Sequence, residues 1–120
     1  MDVPEEAYIV ACGTMLAREG DSEYAARAAK PAEESGLTLI AGGRLGDKVE
    51  ILEGQLPEGT EFMAIERFPS IESLRGFWHS QDYQKAIPFR KKSVKMHFIV
   101  ALEGVTSTEL GKEPAETAEK

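Results

Sequence analysis

A chain of 120 residues has room for one hydrophobic core of ordinary size and not for two. With 42% hydrophobic and 29% charged residues it has a globular composition, and no apolar run reaches the ~18 residues of a membrane-spanning helix, so no membrane partner is expected. A net charge of −7 repels a phosphate backbone, so no nucleic-acid partner is expected either.

The start, Met1-Asp2-Val3-Pro4-Glu5-Glu6, is acidic and lacks the basic-then-apolar pattern of a secretion signal, so a cytoplasmic location is expected. Residues 1–6 read as a frayed end. Tyr8 to Met15 is β-rich and ends in the polar break Arg18-Glu19-Gly20-Asp21. There Asp21 or Ser22 is placed to cap a helix through Glu34, kinked or split in its last turn by Pro31 and stopped by Gly36. A second strand begins at Leu37 to Ala41, breaks at Gly42-Gly43 and resumes at Val49 to Leu52. Glu61 to Phe68 forms the third. Pro69-Ser70 opens a helix in which Ile71, Leu74, Phe77 and Trp78 recur at helical spacing. Ser80 caps another from Gln81, bent by Pro88, and Arg90-Lys91-Lys92 sits near its end, where cations complement the free carbonyls. Met96 to Leu102 is the last strand, closed by Glu103-Gly104. Residues 105–120 are polar with one Leu and no aromatic, and read as a disordered tail of net −2, from four Glu against two Lys. The folded domain is therefore 7–104.

This order, β-α-β-(β)-β-α-α-β, folds most simply as the α+β ferredoxin-like plan, a split βαβ with a four-stranded antiparallel sheet and helices on one face. Both strand faces are apolar. Tyr8, Val10 and Cys12 oppose Ile9, Ala11 and Met15 in the first, and Met96, Phe98, Val100 and Leu102 oppose Ile99 and Ala101 in the last. Helices cover only one face, so a second copy is expected on the other. At ~25 cal/mol per Å², a sheet-to-sheet contact on the order of 1,500 Å² is a strong gross driving force for such a homodimer.

The runs Phe68-Pro69-Ser70-Ile71-Glu72-Ser73-Leu74, Trp78-His79-Ser80-Gln81-Asp82-Tyr83-Gln84, Ala86-Ile87-Pro88-Phe89-Arg90 and Leu102-Glu103-Gly104 resemble the family catalogued as domain of unknown function 1330. Tyr8, Gly42-Gly43-Arg44 and Leu52-Glu53-Gly54 fall where that family has similar residues, and the likeness spans about 7–104. The resemblance implies the dimeric α+β barrel, in which two ferredoxin-like subunits pack sheet to sheet. The wider superfamily it implies includes cofactor-free oxygenases, lactone isomerases, polyketide cyclases and haem-degrading enzymes.

The richest local constellation is His79, Tyr83 and Arg90, an imidazole, a phenol and a fixed cation at helical spacing. His79 is the natural proton carrier near neutral pH, Tyr83 a donor to a carbonyl or phenolic oxygen, and Arg90 a hold for a carboxylate or enolate. Glu66 is a candidate base or a structural partner of Arg90 or Arg44. Arg44 is a possible anion contact, His97 an alternative imidazole, and Trp78 a ligand wall or core residue. Ser80 lacks a G-x-S-x-G elbow and Gly42-Gly43-Arg44 lacks a nucleotide-loop pattern. Cys12 has no intramolecular partner, and two histidines without a second thiol give no structural zinc pattern, so neither metal nor cofactor is expected. The leading reading is a small-molecule enzyme of isomerase, cyclase or oxygenase type. A non-catalytic binding or assembly module is the alternative, and haem binding through His79 beside Trp78 the third.

Overall fold

A computed structural model describes residues 5–105; all but the first residue of the expected disordered tail, and most of the frayed start, lie outside the described residues. The elements run β1 (Ala7–Met15), α1 (Asp21–Ser35), β2 (Thr38–Arg44), β3 (Phe62–Phe68), α2 (Ile71–His79), α3 (Gln81–Ser93) and β4 (Val94–Glu103). The four strands form one sheet in the order β2-β3-β1-β4, and every neighbouring pair is antiparallel. This is the ferredoxin-like α+β plan. No helix among the described residues is long and apolar enough to cross a membrane.

Local chemistry explains the helix ends. At the start of α2, Ser70 accepts from the Ser73 amide at 3.1 Å while the Ser73 hydroxyl answers the Ser70 amide at 3.3 Å, a reciprocal cap. Ser80 ends α2 by donating to the Phe77 carbonyl and starts α3 by accepting from the Tyr83 amide at 3.1 Å. The start of α1 departs from expectation. Gly20 is the cap and makes no side-chain bond, while Asp21 lies inside the first turn, where its charge complements the free amides. Pro31 and Pro88 are carried within α1 and α3.

Two expectations for the second strand are corrected, the first by backbone approach at glycine and the second by a turn. The second strand does not break at Gly42-Gly43; β2 runs through both to Arg44. At Gly42 (φ +139°) a Cβ would lie 2.4 Å from the Met63 carbonyl oxygen, so the absent side chain lets β2 press onto β3. The strand does not resume at Val49 to Leu52. A tight turn gathers the Asp47 and Val49 amides onto the Arg44 carbonyl, and Leu45 and Val49 make only an isolated bridge.

In β4 the pairing with β1 jumps from Cys12–Phe98 to Gly13–Met96, leaving His97 as a bulge. A Cβ on Gly13 would lie 2.5 Å from the Lys95 carbonyl oxygen, so glycine makes the bulge possible. The extra residue reverses the parity of the strand. Met96 joins Ile99 towards the helices, and Phe98, Val100 and Leu102 remain on the other face, not all four together.

On the helix side, Ala7, Ile9 and Phe68 pack against Ile71, Leu74, Phe77, Tyr83 and Ala86 to form the core. The outer side carries Val10 between Ile65 and Val100, and Tyr8 between Arg67 and Leu102. Val100 is 43% and Leu102 52% exposed there. Phe68 is fully buried, its ring 5.5 Å from that of Phe77. Phe68→Ala is expected to cost about 3–5 kcal/mol in urea denaturation, the cost of deleting a buried ring that neighbours cannot replace.

Candidate functional site

Between sheet and helices lies a cavity of about 70 Å³. Its floor comes from small and apolar strand residues, including Ala11, Ala64 and Ile99, and its polar groups come from three separate elements: Glu66 of β3, Tyr24 of α1, and Tyr83 and Arg90 of α3. Tyr83 and Arg90 are seven residues apart, two turns of α3, and so share its inner face. Trp78, at the end of α2, closes one wall.

Tyr83 is held on several sides. Its ring lies 4.3 Å from that of Phe77, 5.5 Å from Trp78 and 6.2 Å from Tyr24. Its hydroxyl stands 3.1 Å from the Tyr24 hydroxyl. One proton of this pair is used between the two oxygens, and the other remains free to donate. Burial pushes the Tyr24 phenol up, reinforced by Tyr83 beside it, so the Tyr24 hydroxyl keeps its proton.

Arg90 is only 6% exposed and its Nε has no hydrogen-bond partner. Glu66 faces the same cavity, yet the two form no ion pair within 4 Å. Burial raises the Glu66 carboxyl above its ordinary range, and the Arg90 charge opposes that rise without cancelling it. The site therefore offers a proton-accepting carboxylate, a hydroxyl donor and a desolvated cation around one small space.

The expected constellation is thus brought together in part. Tyr83, Arg90, Glu66 and Trp78 line the cavity. His79 does not. It is the last residue of α2, and the Ser80 break turns α3 away, so His79 and Tyr83 do not lie on one helical stripe. His79 lines an adjoining open groove of about 350 Å³ between α2 and β4, together with Arg75 and Leu74, and this groove shares Ile9, Trp78 and Ile99 with the inner cavity. Arg44 is exposed at the end of β2 and does not line the cavity. His97 sits at the β4 bulge with its Nε2 2.8 Å from Thr14 Oγ1. Since that hydroxyl donates to the Gly59 carbonyl, His97 donates to it, and the contact ties the β2–β3 connection to the sheet. Cys12 is buried beneath Thr60. Among the described residues no cluster of His, Cys, Asp and Glu has the makings of a metal site. Tyr24 escaped the sequence reading; the signal was its place as the sole aromatic of α1, with Ala28 and Ala32 at successive turns below it.

The sequence model described as Domain of unknown function (DUF1330) matches residues 6–105. No curated protein matches the chain in sequence. Among solved structures, RPA0582, a protein of unknown function from Rhodopseudomonas palustris, is similar at a TM-score of 0.64 and 15% identity, over 88% of this chain and 86% of that one. A hydroxynitrile lyase from Passiflora edulis is similar at 0.57 and 13%, over 87% and 97%. SnoaB, a cofactor-independent oxygenase from Streptomyces nogalater, is similar at 0.53 and 10%, over 86% and 96%. At these identities the likeness is one of fold.

The position of Glu66 has a consequence for stability. Its carboxyl is raised above the ordinary 4.5, so the folded chain holds that proton to higher pH than the unfolded chain does. Stability from this group is full below the ordinary value and is lost as pH rises through the folded one. Glu66→Gln is therefore expected to melt higher than the parent at about pH 8, with the gap closing near pH 4. Melting curves across that range check it, and a gap independent of pH would mean that Glu66 ionises in the fold at no cost.

Proposed function

We propose that this chain, which belongs to the domain of unknown function 1330 family, is a small-molecule enzyme that moves a proton on a carbonyl compound, with Glu66 as the base. The observation that carries this reading is the unpartnered Nε of buried Arg90 in the same cavity as a carboxylate that does not pair with it. Burying a cationic donor unsatisfied costs of order 1–3 kcal/mol or more, a cost that a ligand oxygen would recover.

The step balances without an added reactant. Glu66 takes a proton from the carbon next to the carbonyl, and the C–H electron pair moves into the adjacent C–C bond as the carbonyl oxygen gains negative charge. The free hydroxyl proton of the Tyr24–Tyr83 pair bonds that oxygen, and Arg90 offsets its charge. Where the substrate carries a C=C bond between its β- and γ-carbons the enolate is conjugated with it; Glu66 then returns the proton to the γ-carbon, the double bond moves to the α,β position, and the product is an isomer. A carboxyl raised by burial suits both halves, because its proton affinity is shifted towards neutral pH. Ring closure uses the same enolate, whereas an oxygenase version draws on dioxygen as a second substrate. Two structural neighbours carry enzyme names, an oxygenase and a lyase, which supports chemistry over a purely assembling role.

The same reading includes a second copy of the chain on the outer sheet face, where Val10, Ile65, Val100 and Leu102 form an apolar surface.

Two measurements test these statements. In heavy water, small enolisable ketones incubated with the protein are expected to gain deuterium at the α-carbon, and Glu66→Gln to slow this by about 10²-fold or more with the circular dichroism unchanged. Exchange at the parent rate would remove Glu66 as the base, and no exchange with any ketone would favour a binding module. In sedimentation, the parent is expected to run as a dimer at micromolar concentration and Leu102→Lys as a folded monomer.

A further inference from the structure

We infer that the groove outside Trp78 seats a carboxylate through Arg75 and His79, so that the ligand of the inner cavity is a keto acid with an apolar spacer. The inference rests on the proton-transfer reading for the inner cavity and specifies its substrate class.

The two volumes set the argument. The inner cavity, at about 70 Å³, holds little more than two water volumes of ~30 Å³, enough for a carbonyl head and no more. The body of any ligand whose carbonyl reaches Glu66 must lie in contiguous space. The groove of about 350 Å³ is the adjoining space, with Ile9, Trp78 and Ile99 lining both compartments, and the ligand body is assigned to it. Its surface is apolar along Leu74, Ile99 and Ala101, which suits a methylene chain or a ring.

The polar groups of the groove are of one kind. Arg75 and His79 lie four residues apart, one turn of α2, and no Asp or Glu lines the groove, in a chain whose net charge is −7. Neither makes an ion pair within 4 Å among the described residues. A basic group at a helix end is explained by the terminal carbonyls, and that suffices for His79. Arg75 lies mid-helix and has no such reason. A free guanidinium over an apolar floor matches a ligand that is anionic at one end, with the carboxylate taken by the planar fork of Arg75 and an imidazole nitrogen of His79. The far end of that ligand, passing the Trp78 ring, presents its ketone to Glu66 and Tyr83.

The test uses the full chain and two matched series, the straight-chain oxo acids from 4-oxopentanoate to 7-oxooctanoate and their methyl esters, with binding followed by calorimetry. At least one acid is expected to bind about tenfold or more tightly than its ester. Arg75→Gln is expected to remove that preference while leaving ester affinity unchanged, and Arg75→Lys to keep part of it. In deuterium exchange the same Arg75→Gln change is expected to raise KM and spare kcat. Equal affinity for acid and ester, no binding of any acid, or a preference that survives Arg75→Gln would overturn the inference; the last would move the carboxylate to Arg90. Acid binding that weakens as the protein self-associates would also overturn it, by giving the groove to a second copy. Exchange in the parent, set beside the acid preference, separates the two readings. An acid preference that depends on Arg75, together with no exchange in the parent, would defeat the proton-transfer reading and leave the carboxylate seat standing.

Discussion

A carboxylate and a guanidinium held in one small cavity without touching are the constraint around which the helix-side architecture is arranged. Each ion loses hydration on burial, and an ion pair would recover part of that cost. Here Glu66 is fixed to β3 and Arg90 to α3, and the space between them is left to the cavity. The rest of the core compensates. Phe68, Phe77, Leu74 and Ile71 form a dense apolar block at one end of the helix layer, so the polar end is carried by packing elsewhere. The rise in the Glu66 carboxyl is the signature of that unrelieved burial.

Precision at the site comes from rings rather than from hydrogen-bond chains. Tyr83 has aromatic neighbours from α1 and α2 within 4.3–6.2 Å, which fix its ring and leave its hydroxyl bonded only to Tyr24. Ser80 contributes indirectly. By ending α2 and capping α3 within one residue it sets the Trp78 and Tyr83 rings 5.5 Å apart at a tilt of 47° at the cavity wall, an arrangement that one continuous helix would not give.

The general plan was legible in the residues because its signals are local. A β-rich run ended by a polar break marks β1, helical spacing marks α2, and the serine caps mark where α2 and α3 begin. What was not legible depends on contacts between distant segments. Whether Gly42-Gly43 ends a strand or lets it approach a neighbour is decided by the Met63 backbone. The parity of β4 is reversed at His97, and the residue that permits this, Gly13, lies on another strand. Tyr83, Arg90 and Glu66 stood out as charged or aromatic residues at suggestive positions. Tyr24 did not, because only the tertiary fold brings α1 over α3. His79 was separated from its expected partners by a single helix break, a boundary effect too fine for spacing arguments.

The cavity is a property of the sheet as much as of the helices over it. Across the floor the paired residues form rows: Phe62–Gly13–Met96, then Ala64–Ala11–Ile99, then Glu66–Ile9–Ala101. Strand interiors facing a core ordinarily carry β-branched or aromatic side chains, which fill the space up to the helices. Here Ala11 and Ala64 withhold that volume, and the hollow lies above them. The last row also runs outward in chemical order, from the carboxylate of Glu66 through Ile9, shared by both compartments, to Ala101 in the groove. Withheld volume and graded polarity along one row cost stability unless they serve a ligand. That cost, borne by the strands with the rigid Tyr83 hydroxyl above them, joins the unpartnered Arg90 Nε as a reason to read the hollow as a site.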